Sequence, residues 1–122
     1  MSKDEFETLK KHGLVIGLLS IFDENVIGEN ECNLAKGRNI NAEGDLKYLS
    51  DTILKPWFLE SQPDRRVKII QAIDFIIDKG NKSVDEVFNS LCFIFDGEIE
   101  NRVLFLTKIK KFLEGYMNGD IN

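Results

Sequence analysis

Two cysteines, one histidine, two prolines and one tryptophan leave this 122-residue chain short of the residue types that most catalytic and metal chemistry uses. A single Cys32/Cys92 pair is no disulfide framework. A structural zinc site takes four Cys or His ligands, and three scattered candidates (Cys32, Cys92, His12) do not supply one. The longest apolar run, GLVIGLLSIF at residues 13–22, has ten residues, about half of what a membrane-spanning helix needs. It reads as core, with Gly13-x-x-x-Gly17 expected to let another helix approach closely. The N-terminus MSKDEFETLKK has no apolar segment behind a basic one, so no export signal is expected. Reduced thiols and a cytoplasmic location follow as expectations.

What is present is an ordinary globular composition, 43% hydrophobic and 30% charged, which places the chain with folded domains and not with disordered ones. Its length predicts one domain, residues 1–122. The pattern predicts an all-α fold, an irregular bundle of four to six helices with one long acidic loop. Ser2 and Glu5 have capping-box spacing, and Phe6, Leu9, Leu14, Leu18 and Phe22 continue a helical stripe. Residues 23–44 lack periodicity and read as the loop, with a helical turn expected near 33–36. Leu46, Leu49 and Ile53 mark a second helix over 45–54, which Pro56 should break or kink. Pro63 opens a third, ending before Gly80. Ser83 and Glu86 predict a fourth running through Val87, Leu91, Ile94 and Phe95. The last is expected after Asp96-Gly97, on Ile99, Val103, Leu106, Ile109, Leu113 and Met117.

The stretch DENVIGENECNL, residues 23–34, opens like a calcium loop, with Asp23, Asn25 and Gly28 at the first, third and turn-glycine positions. Ile27 then offers no side-chain oxygen at position five, and Leu34 stands where a bidentate Glu belongs. The loop reads as solvated acid. Asp96, Glu98 and Glu100 read as charges favoured by a helix N-terminus. Cys92, within SLCFIF, reads as a buried inert thiol. Cys32 lies beside Glu31, whose charge would raise a thiol pKa. His12, after two lysines, reads as a surface residue. No cofactor or catalytic residue is assigned. The basic stretches Arg65-Arg66-x-Lys68 and Lys108-x-Lys110-Lys111 are short, and a net charge of −5 repels phosphate, so direct nucleic-acid binding is not expected.

The charge is concentrated. Residues 23–64 hold nine acids against four bases, and the rest of the chain carries twelve of each sign. That stretch also contains Tyr48 and Trp57, residue types favoured as interface anchors. Acids beside aromatic anchors suit the capture of a basic partner, and Glu24, Glu29, Glu31, Glu43, Asp45, Tyr48, Asp51 and Trp57 are the candidate partner-binding residues. In size, helical pattern and acidity, and in the concentration of charge from Glu29 to Asp51, the chain resembles bacterial immunity proteins of contact-dependent growth inhibition systems. The resemblance implies a cytoplasmic inhibitor that occludes the active site or nucleic-acid-binding face of a basic nuclease toxin. It brings no family motif and so no assigned residues. The alternatives are a phage or mobile-element regulator that binds a host protein or mimics DNA charge, and a small enzyme using Cys32, His12 or a carboxylate pair. A DNA mimic should display acids at regular spacing over a large face, and the charge-balanced C-terminal half weighs against one.

Overall fold

A computed structural model describes residues 2–23, 28–95 and 98–118. It is all-α, and six helical rods make up the bundle among the described residues. The first, α1, spans Lys3–Leu19, where Ser2 Oγ accepts the Glu5 N–H at 3.2 Å. Capping satisfies one of the free amides at the helix start, and Asp4 and Glu5 complement its dipole. His12, Val15, Leu18 and Leu19 form its buried face. A 3₁₀ turn over Ser20–Phe22 carries the chain to Asp23 in extended conformation.

The stretch expected to be a loop contains a short helix, α2, Glu29–Ala35, which starts earlier than the turn expected at 33–36. Gly37, at φ +76°, reverses the chain after it, a backbone region that glycine reaches without steric cost. The next rod runs unbroken from α3 (Glu43–Leu49) through a π-helical turn (Ser50–Leu54) into α4 (Lys55–Glu60). Pro56 therefore neither breaks the helix nor ends it. In a regular α-helix the proline ring would press on the carbonyl of residue 52. Here the turn before it widens, and the Lys55 N–H reaches back five residues to the Ser50 carbonyl, the device by which helices absorb such a residue.

Pro63 opens α5 (Pro63–Lys79) as expected. This helix is the spine of the bundle: it packs on α1, α6 and α7, and Ile69, Ala72, Ile73 and Ile76 are fully buried. Gly80, at φ +103°, turns the chain directly into α6 (Asn81–Asn89). That helix begins before Ser83 and ends before Leu91, unlike the helix expected through Phe95. The Ser83 hydroxyl is not a cap; it lies 3.0 Å from Nε2 of His12. Residues 91–95 run extended, with the Ile94 N–H donating to the Phe22 carbonyl at 2.9 Å and Phe93 forming an isolated antiparallel bridge to Asp23. Tertiary aromatic packing overrides the helical spacing. Phe93 and Phe95 stack at 5.3 Å, and Phe95 lies 5.4 Å from Phe22. The last helix, α7, spans Arg102–Met117, capped by Asn101, whose Oδ1 accepts the Leu104 N–H. Glu98 and Glu100 thus precede this helix instead of lying in its first turn. Lys110 pairs with Asp74 at 2.7 Å and ties α7 to α5.

Three smaller expectations are corrected. His12 is buried, not a surface residue, because it sits between α1 and α6 with Ser83 and Glu86 around its ring. Cys92 is exposed, since the chain leaves the helix before reaching it. Gly13 and Gly17 meet no close helix, for a Cβ built on either would find nothing within 4 Å. Open space around a helix-interior glycine means that alanine adds helix propensity without a clash. Gly13→Ala and Gly17→Ala should each stabilise the fold by about 0.5–1 kcal/mol, measured as a rise in the urea midpoint at unchanged slope.

Candidate interaction face

Three of the sequence candidates, Glu43, Asp45 and Tyr48, lie on α3. Leu46 and Leu49 point into the core, which leaves Glu43, Gly44, Lys47 and Tyr48 on the outward arc of the helix, as a 3.6-residue period requires.

On one side of this arc the chain builds a braced aromatic. Arg38, in the turn after α2, donates from Nε to the Leu34 carbonyl at 3.0 Å and from Nη1 to Asp45 Oδ1 at 3.3 Å. Its guanidinium lies 3.6 Å from the centre of the Tyr48 ring, a stacked cation–π arrangement. Asp45 Oδ2 accepts the Asn39 N–H at 2.9 Å. Asp45 therefore fixes the 38–39 turn, and its charge is answered by Arg38. Tyr48 is 37% exposed and is held in place by the arginine.

The other side of the arc faces α7 across a cleft of about 400 Å³, lined by Glu43, Lys47, Lys111, Phe112 and Tyr116. Asp51 accepts from the Tyr116 hydroxyl at 2.5 Å and from Lys47 at 3.1 Å. Burial of Tyr116, followed by its hydrogen bond to the Asp51 carboxylate and that carboxylate's charge, pushes the phenol well above the usual tyrosine range. It stays protonated and donates.

The eight candidates thus separate. Glu43 and Glu29 are exposed, the latter at the start of α2, and neither forms an ion pair among the described residues. Tyr48 is exposed on the side of the arc that faces Arg38. Asp45 and Asp51 are occupied within the protein. Trp57 is half-buried and packs against the core from α4, so it is no free anchor. Glu24 and the side chain of Glu31 lie outside the described residues. Asp23, the first residue of the apparent calcium loop, is buried, and its Oδ2 accepts the Cys92 N–H at 3.1 Å. Sequence reasoning missed Arg38, Lys47 and Tyr116, because each acts through a contact that no periodicity announces. Among the described residues no group of three or more His, Cys, Asp or Glu is placed to hold a metal ion, and no helix is long and apolar enough to cross a membrane. Comparison with protein-family models, with curated proteins and with solved structures finds no match for the chain.

Proposed function

We propose that the protein acts by stoichiometric capture of a basic protein partner, in its most specific form as an immunity protein that neutralises a nuclease toxin from the cytoplasm. The observation that carries this reading is the location of the charge. The entire net −5 falls within residues 23–64, and the outward arc of α3 in that stretch presents an unpaired Glu43 on one side and, on the other, a partly exposed Tyr48 stacked on Arg38. A rigid aromatic loses little entropy on docking, and unpaired acids on the same arc steer a cation-rich surface and set its orientation. Asp45 and Asp51 are positioning residues: the first braces the Arg38–Tyr48 pair, the second anchors α3 to Tyr116.

The test pairs the protein with the C-terminal domain of a large secreted protein encoded by the neighbouring reading frame. A variant carrying Glu29→Lys, Glu31→Lys and Glu43→Lys should keep its fold, since Glu29 and Glu43 are exposed and unpaired. It should associate at least tenfold more slowly at low salt, with the gap closing as salt rises. An equal association rate would reject this face. Failure of the unaltered protein to bind or protect against that domain would reject the inhibitor role.

A further inference from the structure

The contacts that bury His12 also give it a chemical arrangement that the capture of a partner does not use. Its imidazole lies between α1 and α6 and is 8% exposed. Nε2 is 3.0 Å from the Ser83 hydroxyl, and Nδ1 is 3.8 Å from a Glu86 carboxylate oxygen. Ser83 and Glu86 stand three residues apart on α6, so one face of that helix brings both to the ring. The two partners meet different nitrogens. A carboxylate on the Nδ1 side favours the tautomer with its proton there, which leaves Nε2 to accept from the hydroxyl.

A serine oxygen within hydrogen-bond reach of an imidazole, with an acid at the other ring nitrogen, is the arrangement that activates a hydroxyl as a nucleophile. The position of Ser83 in its helix adds a second element. α6 starts directly after Gly80, and its first bond runs from the Val84 N–H to the Gly80 carbonyl at 3.2 Å. The amides of Asn81, Lys82 and Ser83 precede that bond and have no carbonyl of α6 to meet. Such donors, at the positive end of a helix dipole, stabilise negative charge that forms on an oxygen beside them. The surroundings restrict what can react. Ser83 is half-buried, while Asn81, Lys82, Asp85 and Glu86 are exposed. Ser83 is reached from solvent, and these polar neighbours suit a small acyl group better than a long hydrocarbon chain.

We propose that Ser83, His12 and Glu86 form an acyl-transfer site that cleaves small carboxylic esters. Ser83 is the nucleophile, His12 the general base, and Glu86 a positioning residue. Ser83 Oγ attacks the ester carbonyl carbon as its proton passes to His12 Nε2. The tetrahedral oxyanion then collapses, the bond to the alkoxy oxygen breaks, and the leaving alcohol takes the proton from His12. Water repeats the sequence on the acyl-serine: it gives one proton to His12, and that proton returns to Ser83 Oγ as the carboxylic acid departs. Ester and water are consumed, alcohol and acid are formed, and the site is restored. Glu86 orients the ring and stabilises the imidazolium that forms in each half. None of the three residues lies on α3, so this chemistry is independent of the partner-binding arc.

An alkyl fluorophosphonate tests the site directly, because formation of an Oγ–phosphorus bond with loss of fluoride traps an activated serine. The folded full chain should take up a single adduct, peptide mass spectrometry should place it on Ser83, and the urea-unfolded chain should take up none. With p-nitrophenyl acetate, the unaltered protein should give a burst of p-nitrophenolate that Ser83→Ala abolishes. His12→Gln should abolish labelling as well, but that ring is buried, so the decision rests on the adduct's position and on a variant at the exposed Glu86. Glu86→Gln should keep the melting temperature and slow labelling about tenfold. No adduct, an adduct on another residue, equal labelling in urea, or an undiminished rate in Glu86→Gln would each overturn the proposal. Ser83 and Glu86 would then serve only to satisfy a buried imidazole.

Discussion

Replacing Phe22 by alanine should remove about 3–5 kcal/mol of folding stability, the range found for large aromatic truncations in a closed core. The ring is fully buried at the end of the first helical segment. It packs 5.4 Å from Phe95, which in turn stacks on Phe93 and lies 6.4 Å from Phe105. Its own carbonyl holds the Ile94 N–H, so the side chain and the backbone of one residue both fasten the extended 91–95 passage to the bundle. Loss of the ring leaves a cavity among aromatics that cannot collapse without moving that passage. Domains of this size have only about 5–15 kcal/mol of total stability, so the variant should sit close to its unfolding threshold. Phe6→Ala is the matched control: the ring is 54% exposed, and its loss should change stability by no more than about 0.5 kcal/mol. Urea unfolding of the two variants separates these outcomes. A loss below about 1 kcal/mol for Phe22→Ala would show that residues 91–95 do not depend on it.

Phe22 also marks where local pattern stops describing the fold. α1, the start of α5 and most of α7 were legible because their caps and apolar stripes are local: Ser2, Pro63 and the 103–106–109–113 spacing act within a turn or two of themselves. The fate of residues 91–95 was not legible. Val87, Leu91 and Ile94 have helical spacing, but the LCFIF run is rich in residue types that suit extended chain, and contacts with Phe22 and Phe105 decide the matter. The π turn before Pro56 was equally hidden, since a proline signals only that an α-helical bond is lost and not how the chain absorbs the loss. The acids of the candidate face were visible as composition. Which of them face outward unpaired was not, for Asp45 is claimed by Arg38 and Asn39 across a turn, and Asp51 by a tyrosine 65 residues away.

That last contact carries the second large effect, and it has a pH signature. Tyr116→Phe should cost about 1.5 kcal/mol near neutrality, the lower end of the range for a hydrogen bond to a charged group, because Asp51 is itself partly exposed. Tyr116 is 7% exposed, and its phenol is raised above the ordinary range by burial and by Asp51. The folded state therefore holds the phenolic proton more tightly than the unfolded chain, whose tyrosines titrate near pH 10. The stabilisation is fully present below about pH 10 and is lost as the pH climbs above it, by up to about 1.4 kcal/mol per pH unit. The phenylalanine variant has no such proton to lose from this site. Its stability deficit should stay constant from pH 7 to about pH 9.5, then shrink and vanish by roughly pH 11. Paired urea denaturation across that range reads the difference directly. A deficit unchanged at pH 11 would mean that the hydroxyl is not held against the Asp51 carboxylate, and α3 would then lose the anchor that fixes its outward arc against α7.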